Sequence, residues 1–163
     1  MKNIFLICFL IFGMNSSFAE EGKEKPNIEM FQDWIVSCNP DNKLCIANQT
    51  IRTEKGLPVA LINITYVAGK AILEFGLPLM MNLEKPIKVE VDDILIDTYS
   101  YNTCSQRACF VIRSNDLKLI NSFRSGRQLK VFSETLNGEK LELVFSLNGF
   151  SRTLNFLKER LAD

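Results

Sequence analysis

Apolar residues recur at every second position in one segment of this chain after another, a period that fits a half-buried β-strand and not a helix. Ala60, Ile62, Ile64 and Tyr66 share one face, as do Leu141, Leu143, Phe145 and Leu147, with Glu142 and Ser146 on the opposite side. The same reading predicts strands at Trp34 to Cys38, Leu44 to Ile51, Ala71 to Gly76, Ile87 to Val91, Ile94 to Tyr101, Cys109 to Arg113 and Gln128 to Thr135, nine in all. The domain is therefore mainly β.

Asn137-Gly138 lies between the last two strands, where the positive φ angles open to Asn and Gly suit a tight hairpin turn. Two stretches break the alternation. Ser114 is placed to cap a short helix that sets Leu117, Ile120 and Phe123 on one side before Gly126. Near the end, Phe150, Leu154, Leu157 and Leu161 recur at helical spacing with Arg152, Lys158, Glu159 and Arg160 between them, which predicts a C-terminal amphipathic helix completing the core.

The first residues read as an export signal. Lys2 gives a basic start, Ile4 to Phe12 an apolar run, and Ser17-Phe18-Ala19 a small-residue cleavage point before Glu20-Glu21. The run is about half the roughly 20 residues a membrane-spanning helix needs. Residues 1–19 are thus expected to be removed, 20–29 to form a charged, disordered leader, and 30–163 to fold as one domain. Cys8 leaves with the signal, so the exported chain keeps Cys38, Cys45, Cys104 and Cys109. An even number of cysteines in an oxidising compartment implies two disulfides. Three pairings are possible, and the spacing favours the local one, Cys38 to Cys45 and Cys104 to Cys109. Each such loop contributes about 2 kcal/mol on the chain-entropy account, against about 4.4 for a link from Cys38 to Cys104.

The chain has no histidine. This excludes Ser-His-Asp and Cys-His nucleophilic arrangements and the commonest transition-metal ligand. The cysteines lack the Cys-x-x-Cys spacing of redox and zinc sites, and the eight glycines form no phosphate-binding loop. No cofactor, metal site or catalytic residue is expected. Glu90, Asp92, Asp93 and Asp97 do cluster around a strand connection, yet paired aspartates are ordinary turn chemistry and no calcium-loop pattern surrounds them. Without Lys2 the count is 18 basic residues against 19 acidic, a net of −1, which argues against a nucleic-acid partner. Charge is nonetheless segregated: Arg107, Arg113, Lys118, Arg124, Arg127 and Lys130 meet only Asp116 between residues 104 and 130. Arg113, Lys118, Arg124, Arg127 and Lys130 are the candidate basic face for an acidic protein, glycan or lipid-headgroup partner. Asn48-x-Thr50 and Asn63-x-Thr65 match the glycosylation sequon, but inside expected strands they read as coincidence.

Phe31-Gln32-Asp33-Trp34-Ile35-Val36-Ser37-Cys38, then Cys45 and Gln49, resembles the opening of the invasion-associated locus B family of bacterial envelope proteins. The order continues with Leu77-Pro78-Leu79 and Leu83, Tyr101-Asn102-Thr103-Cys104 to Cys109, and Ser146-Leu147-Asn148-Gly149-Phe150. Ala108 departs from the glycine the family often carries there, which bears on the shape of that small loop. The resemblance implies an antiparallel β-sandwich-like domain without known enzymatic activity. It also implies a place in the periplasm or envelope, at the cell surface or outside the cell, and a part in entry into host cells such as erythrocytes. The alternative is a periplasmic maintenance or stress factor with no host contact. Trp34 reads as a core anchor and not a ligand platform.

Overall fold

The computed structural model describes residues 26–40 and 44–160. The expected signal, most of the expected leader and Leu161 lie outside the described residues. The strands are β1 (Asn27–Phe31), β2 (Trp34–Cys38), β3 (Cys45–Arg52), β4 (Pro58–Val67), β5 (Lys70–Leu77), β6 (Ile87–Val91), β7 (Ile94–Tyr99), β8 (Thr103–Cys104) and β9 (Cys109–Ser114). Helix α1 (Leu117–Ser125) follows, then β10 (Gln128–Glu134), β11 (Lys140–Ser146) and α2 (Phe150–Arg160).

The strands form two sheets with every neighbouring pair antiparallel, one of seven strands in the order β1-β2-β3-β4-β5-β9-β8 and one of four in the order β11-β10-β6-β7. The alternating apolar residues supply their inner faces: Ile62, Ile64, Leu73 and Phe75 from the larger sheet, Val89, Leu129, Leu143 and Phe145 from the smaller, all buried. The helices close the core. A chain of aromatic rings runs from Trp34 to Phe150 at 5.3 Å, on to Phe123 at 5.3 Å and to Phe75 at 6.5 Å, each pair edge to face, and so ties both helices to the larger sheet.

Local chemistry moves three boundaries from their expected places. Strand β1 begins at Asn27, inside the expected leader, because its backbone pairs with β2 from Asn27↔Cys38 to Phe31↔Trp34. Ser114 belongs to β9, pairing with Ile72, and the helix is capped instead by Asp116, whose carboxylate accepts from the Leu119 N–H at 3.0 Å. Asn115, at φ 53°, turns the chain between them. The helix is thereby rotated so that Leu119, Ile120 and Phe123 are buried and Leu117 is 61% exposed. The β10–β11 connection is the five residues 135–139, closed by the Thr135 N–H donating to the Glu139 carbonyl at 2.9 Å, and within it Gly138, at φ 83°, takes the left-handed position and donates to the Thr135 carbonyl at 3.0 Å.

Disulfides join Cys38 to Cys45 and Cys104 to Cys109, each between directly facing residues of adjacent antiparallel strands. The second closes a loop in which the Ser105 hydroxyl accepts from the Arg107 and Ala108 N–H groups at 3.1 and 3.4 Å. Ala108 fits there without a left-handed backbone.

Candidate functional site

The four clustered carboxylates turn to four separate partners. Asp92 and Asp93 form the β6–β7 turn at φ 49° and 65°, a conformation aspartate tolerates better than most residues. Asp92 accepts from the backbone N–H groups of Arg127 at 3.1 Å and Gln128 at 2.9 Å, fastening the exit of α1 to the smaller sheet. Asp93 pairs with Lys130 at 2.6 Å, and that hydrogen bond pushes the Lys130 ammonium above its ordinary pKa. Glu90 pairs with Lys88 at 2.7 Å, and Asp97 accepts from the Thr98 N–H at 2.8 Å. Among the described residues no three acidic or cysteine side chains are grouped to hold a metal ion.

The expected basic face is divided in the same way. Arg113 lies over the Tyr99 ring at 4.6 Å and 3.6 Å from Asp116. Tyr99 donates to Asp116 at 2.9 Å, and its burial followed by that bond raises the phenol pKa well above its usual range. Lys118 reaches the Ile96 carbonyl and Asp97, and Lys130 is held between Asp93 and Glu142. Acidic residues of β7 and the β6–β7 turn, distant in sequence, pair with charge that looked uncompensated along residues 104–130. Arg124 and Arg127 are the two of the five that stay exposed with side chains outside any ion pair among the described residues.

The smaller sheet carries an open groove of about 700 Å³ whose lining mixes Pro86, Phe132 and Leu141 with three lysines, Lys85, Lys88 and Lys140, and two acids, Glu134 and Glu142. Lys140 and Lys85 both bond Glu134 and hold its carboxyl below the usual range, in that order of effect, while Lys88 sits 4.6 Å over the Phe132 ring.

The first and last motifs of the resemblance converge at one junction. Gln49 of β3 grips the free edge of β11 with both ends of its amide: its nitrogen donates to the Ser146 carbonyl at 2.6 Å and its oxygen accepts from the Ser146 N–H at 3.1 Å. One side chain thus stands in for a neighbouring strand and joins the two sheets. The Ser146 hydroxyl donates to Asp33 at 2.6 Å, and the Asn148 amide reaches the same carboxylate at 3.4 Å. Phe150 follows at once and meets Trp34. Elsewhere Asn102 accepts from the Ile112 N–H at 2.7 Å, and Tyr101 bonds Ser133 at 2.7 Å. Sequence spacing hid this junction, since Gln49 and Ser146 are 97 residues apart. A Gln49→Glu substitution keeps an acceptor for the N–H but sets a carboxylate against the carbonyl. It is expected to cost about 2 kcal/mol in urea unfolding; an unchanged midpoint would show that water serves that edge equally well.

The profile of the Invasion associated locus B (IalB) protein family matches residues 34–158, which hold both disulfides and the whole junction except its first turn. The chain belongs to the invasion associated locus B family. It is similar to an invasion protein B homologue of Brucella abortus (strain 2308), 27% identical over 136 residues that cover 78% of this chain and 76% of that protein. It is also similar to invasion protein B of Bartonella bacilliformis, 28% identical with 95% of each chain covered. The solved structure of invasion associated protein b from Bartonella henselae superposes with a TM-score of 0.75 at 22% identity, over 84% of this chain and 99% of that one, and so shares the fold. Five residues of the locus B motifs in this chain hold the scaffold together: Asp33, Gln49, Ser146 and Asn148 bond one another, and Trp34 is fully buried.

Proposed function

We propose that this chain is a non-enzymatic, exported envelope protein that binds a macromolecular partner and contributes to host-cell invasion. The observation that carries this reading is the use made of its polar residues. Asp33, Asp92, Asp116 and Glu134 each fasten one element to another. What the molecule offers a partner is surface. The names of its relatives point that surface toward invasion, and two disulfides suit an oxidising compartment. The partner is a protein, glycan or membrane surface of the host cell, erythrocytes included, and the exposed pair Arg124 and Arg127 is its cationic contact.

Surface protease digestion of intact bacteria followed by binding of the purified chain to erythrocyte membranes tests this reading. Accessible protein is expected in the first step. In the second, Arg124→Glu with Arg127→Glu should weaken binding about tenfold with almost no change in Tm. Protein confined to the periplasm would favour an envelope-maintenance role, and a large fall in Tm would make the two arginines structural.

A further inference from the structure

The outward face of the seven-stranded sheet is poor in charge and carries exposed aliphatic side chains among its small polar ones. An antiparallel sheet with one face in water places polar residues outward. Here one cross-strand row, fixed by the register of β1, β2, β3, β4, β5 and β9, reads Ile28, Ser37, Ile46, Thr65, Ile72, Ser114. It alternates a branched aliphatic side chain with a small hydroxyl and carries no charge. The parallel row two residues away runs Met30, Ile35, Asn48, Asn63, Glu74, Ile112. Glu74, its one ionisable group, already accepts from the Asn63 amide at 2.9 Å. Ile28 is 61% exposed, Met30 69%, Ile35 42% and Ile46 36%.

From this pattern we infer that the face is a dimer interface whose occupant is a second copy of the same chain. In an isologous contact each residue meets a symmetry-related one, so a surface can pair with itself only if its projections meet its own hollows. A two-fold axis parallel to the strands, between β3 and β4, reverses the row against itself. Ile46 then faces Thr65, Ile72 faces Ser37 and Ile28 faces Ser114, so every isoleucine of the row meets a small hydroxyl residue. In the second row the same axis sets Met30 against Ile112, Asn48 against Asn63, two amides able to bond each other, and Ile35 against Glu74, whose carboxylate keeps its bond from the Asn63 amide. The isoleucines recur every second strand, about 9.6 Å apart. A second copy supplies that repeat without further assumption. The depletion of charge fits a homodimer contact and leaves no lysine or arginine in either row for anionic headgroups.

The test is sedimentation equilibrium of the disulfide-intact chain, expressed with its N-terminal segment and purified as the cell processes it. The wild type is expected to be a dimer. Ile46→Lys, which puts a charge at the centre of the face, should weaken it about 100-fold. Thr65→Tyr decides the matter, because it keeps strand propensity and enlarges the apolar surface while filling the hollow that receives Ile46. Interlocking copies should be pushed apart by it, whereas a generally adhesive face would associate more tightly. Val144→Lys, on the outward face of the smaller sheet and 44% exposed as Val144, should change nothing. Circular dichroism confirms that each variant is folded. The inference is overturned by a monomeric wild type, by a Thr65→Tyr chain that dimerises as tightly as the wild type, or by a monomer that instead sediments with phosphatidylethanolamine–phosphatidylglycerol vesicles.

Discussion

A Gly149→Ala chain is expected to unfold about 10 °C or more below the wild type. Gly149, the fourth residue of the Ser-Leu-Asn-Gly-Phe motif, sits at φ 90°, a backbone conformation in which a side chain is strained. Space adds the larger penalty. A Cβ at this position would lie 2.0 Å from the carbonyl oxygen of Phe31 and 2.8 Å from its carbon, both main-chain atoms of the β1–β2 turn. A flexible side chain could yield to such an overlap, but this turn is held by the β1–β2 ladder and by Trp34 in the core. Relief requires the β11–α2 connection to move away from β1, and that disturbs the Asp33–Ser146 and Gln49–Ser146 bonds together. A loss of about 3 kcal/mol or more corresponds to about 10 °C in a domain of this size. Gly138→Ala is the control, for Gly138 has a similar φ of 83° with nothing near its Cβ position. That variant should lose about 1 kcal/mol from backbone strain alone. Equal losses in the two would show that conformation, and not the close approach of Phe31, requires glycine at position 149.

The contrast between these two glycines shows where sequence reading reaches its limit. Asn137-Gly138 announced its hairpin because the turn is local and its chemistry lies in adjacent residues. Nothing next to Gly149 declares that a carbonyl 118 positions earlier will occupy the space of its missing side chain. The nine expected strands were legible because their inner positions repeat with period two. Strand β1 was not, since Ile28 and Met30 point outward and Glu29 made the segment look like a solvated leader. The helix cap was displaced because Ser114 and Asp116 are both good caps, and only the pairing of Ser114 with Ile72 assigns it to the strand. Charge was misleading for a related reason. Counting residues 104–130 finds a basic stretch, but Asp93 and Asp97 enter from another hairpin and neutralise Lys130 and Lys118. The clamp of Gln49 on Ser146 left no local trace at all, and only the resemblance placed both residues among its motifs.

Replacing Trp34 by alanine should produce a loss as large as that at Gly149, by a different route. Trp34 is fully buried and its ring is the first in the aromatic chain that runs through Phe150 and Phe123 to Phe75. Removing the indole leaves a cavity beside α2 where helix and sheet meet, and Trp→Ala changes at such sites cost about 3–5 kcal/mol. The informative partner is Trp34→Phe. It retains a ring edge for Phe150 and discards an indole N–H that has no hydrogen-bond partner among the described residues. A buried polar group without a partner destabilises, so losing it offsets part of the packing deficit, and Trp34→Phe should cost about 1 kcal/mol. If Trp34 instead served a ligand through its N–H, the order would invert in function: both variants would lose binding alike while Trp34→Phe stayed stable. Urea unfolding monitored by far-ultraviolet circular dichroism, read beside binding to erythrocyte membranes, separates the two. A stable Trp34→Phe chain that still binds places the indole wholly in the core, and hence the function on the surfaces that this core holds rigid.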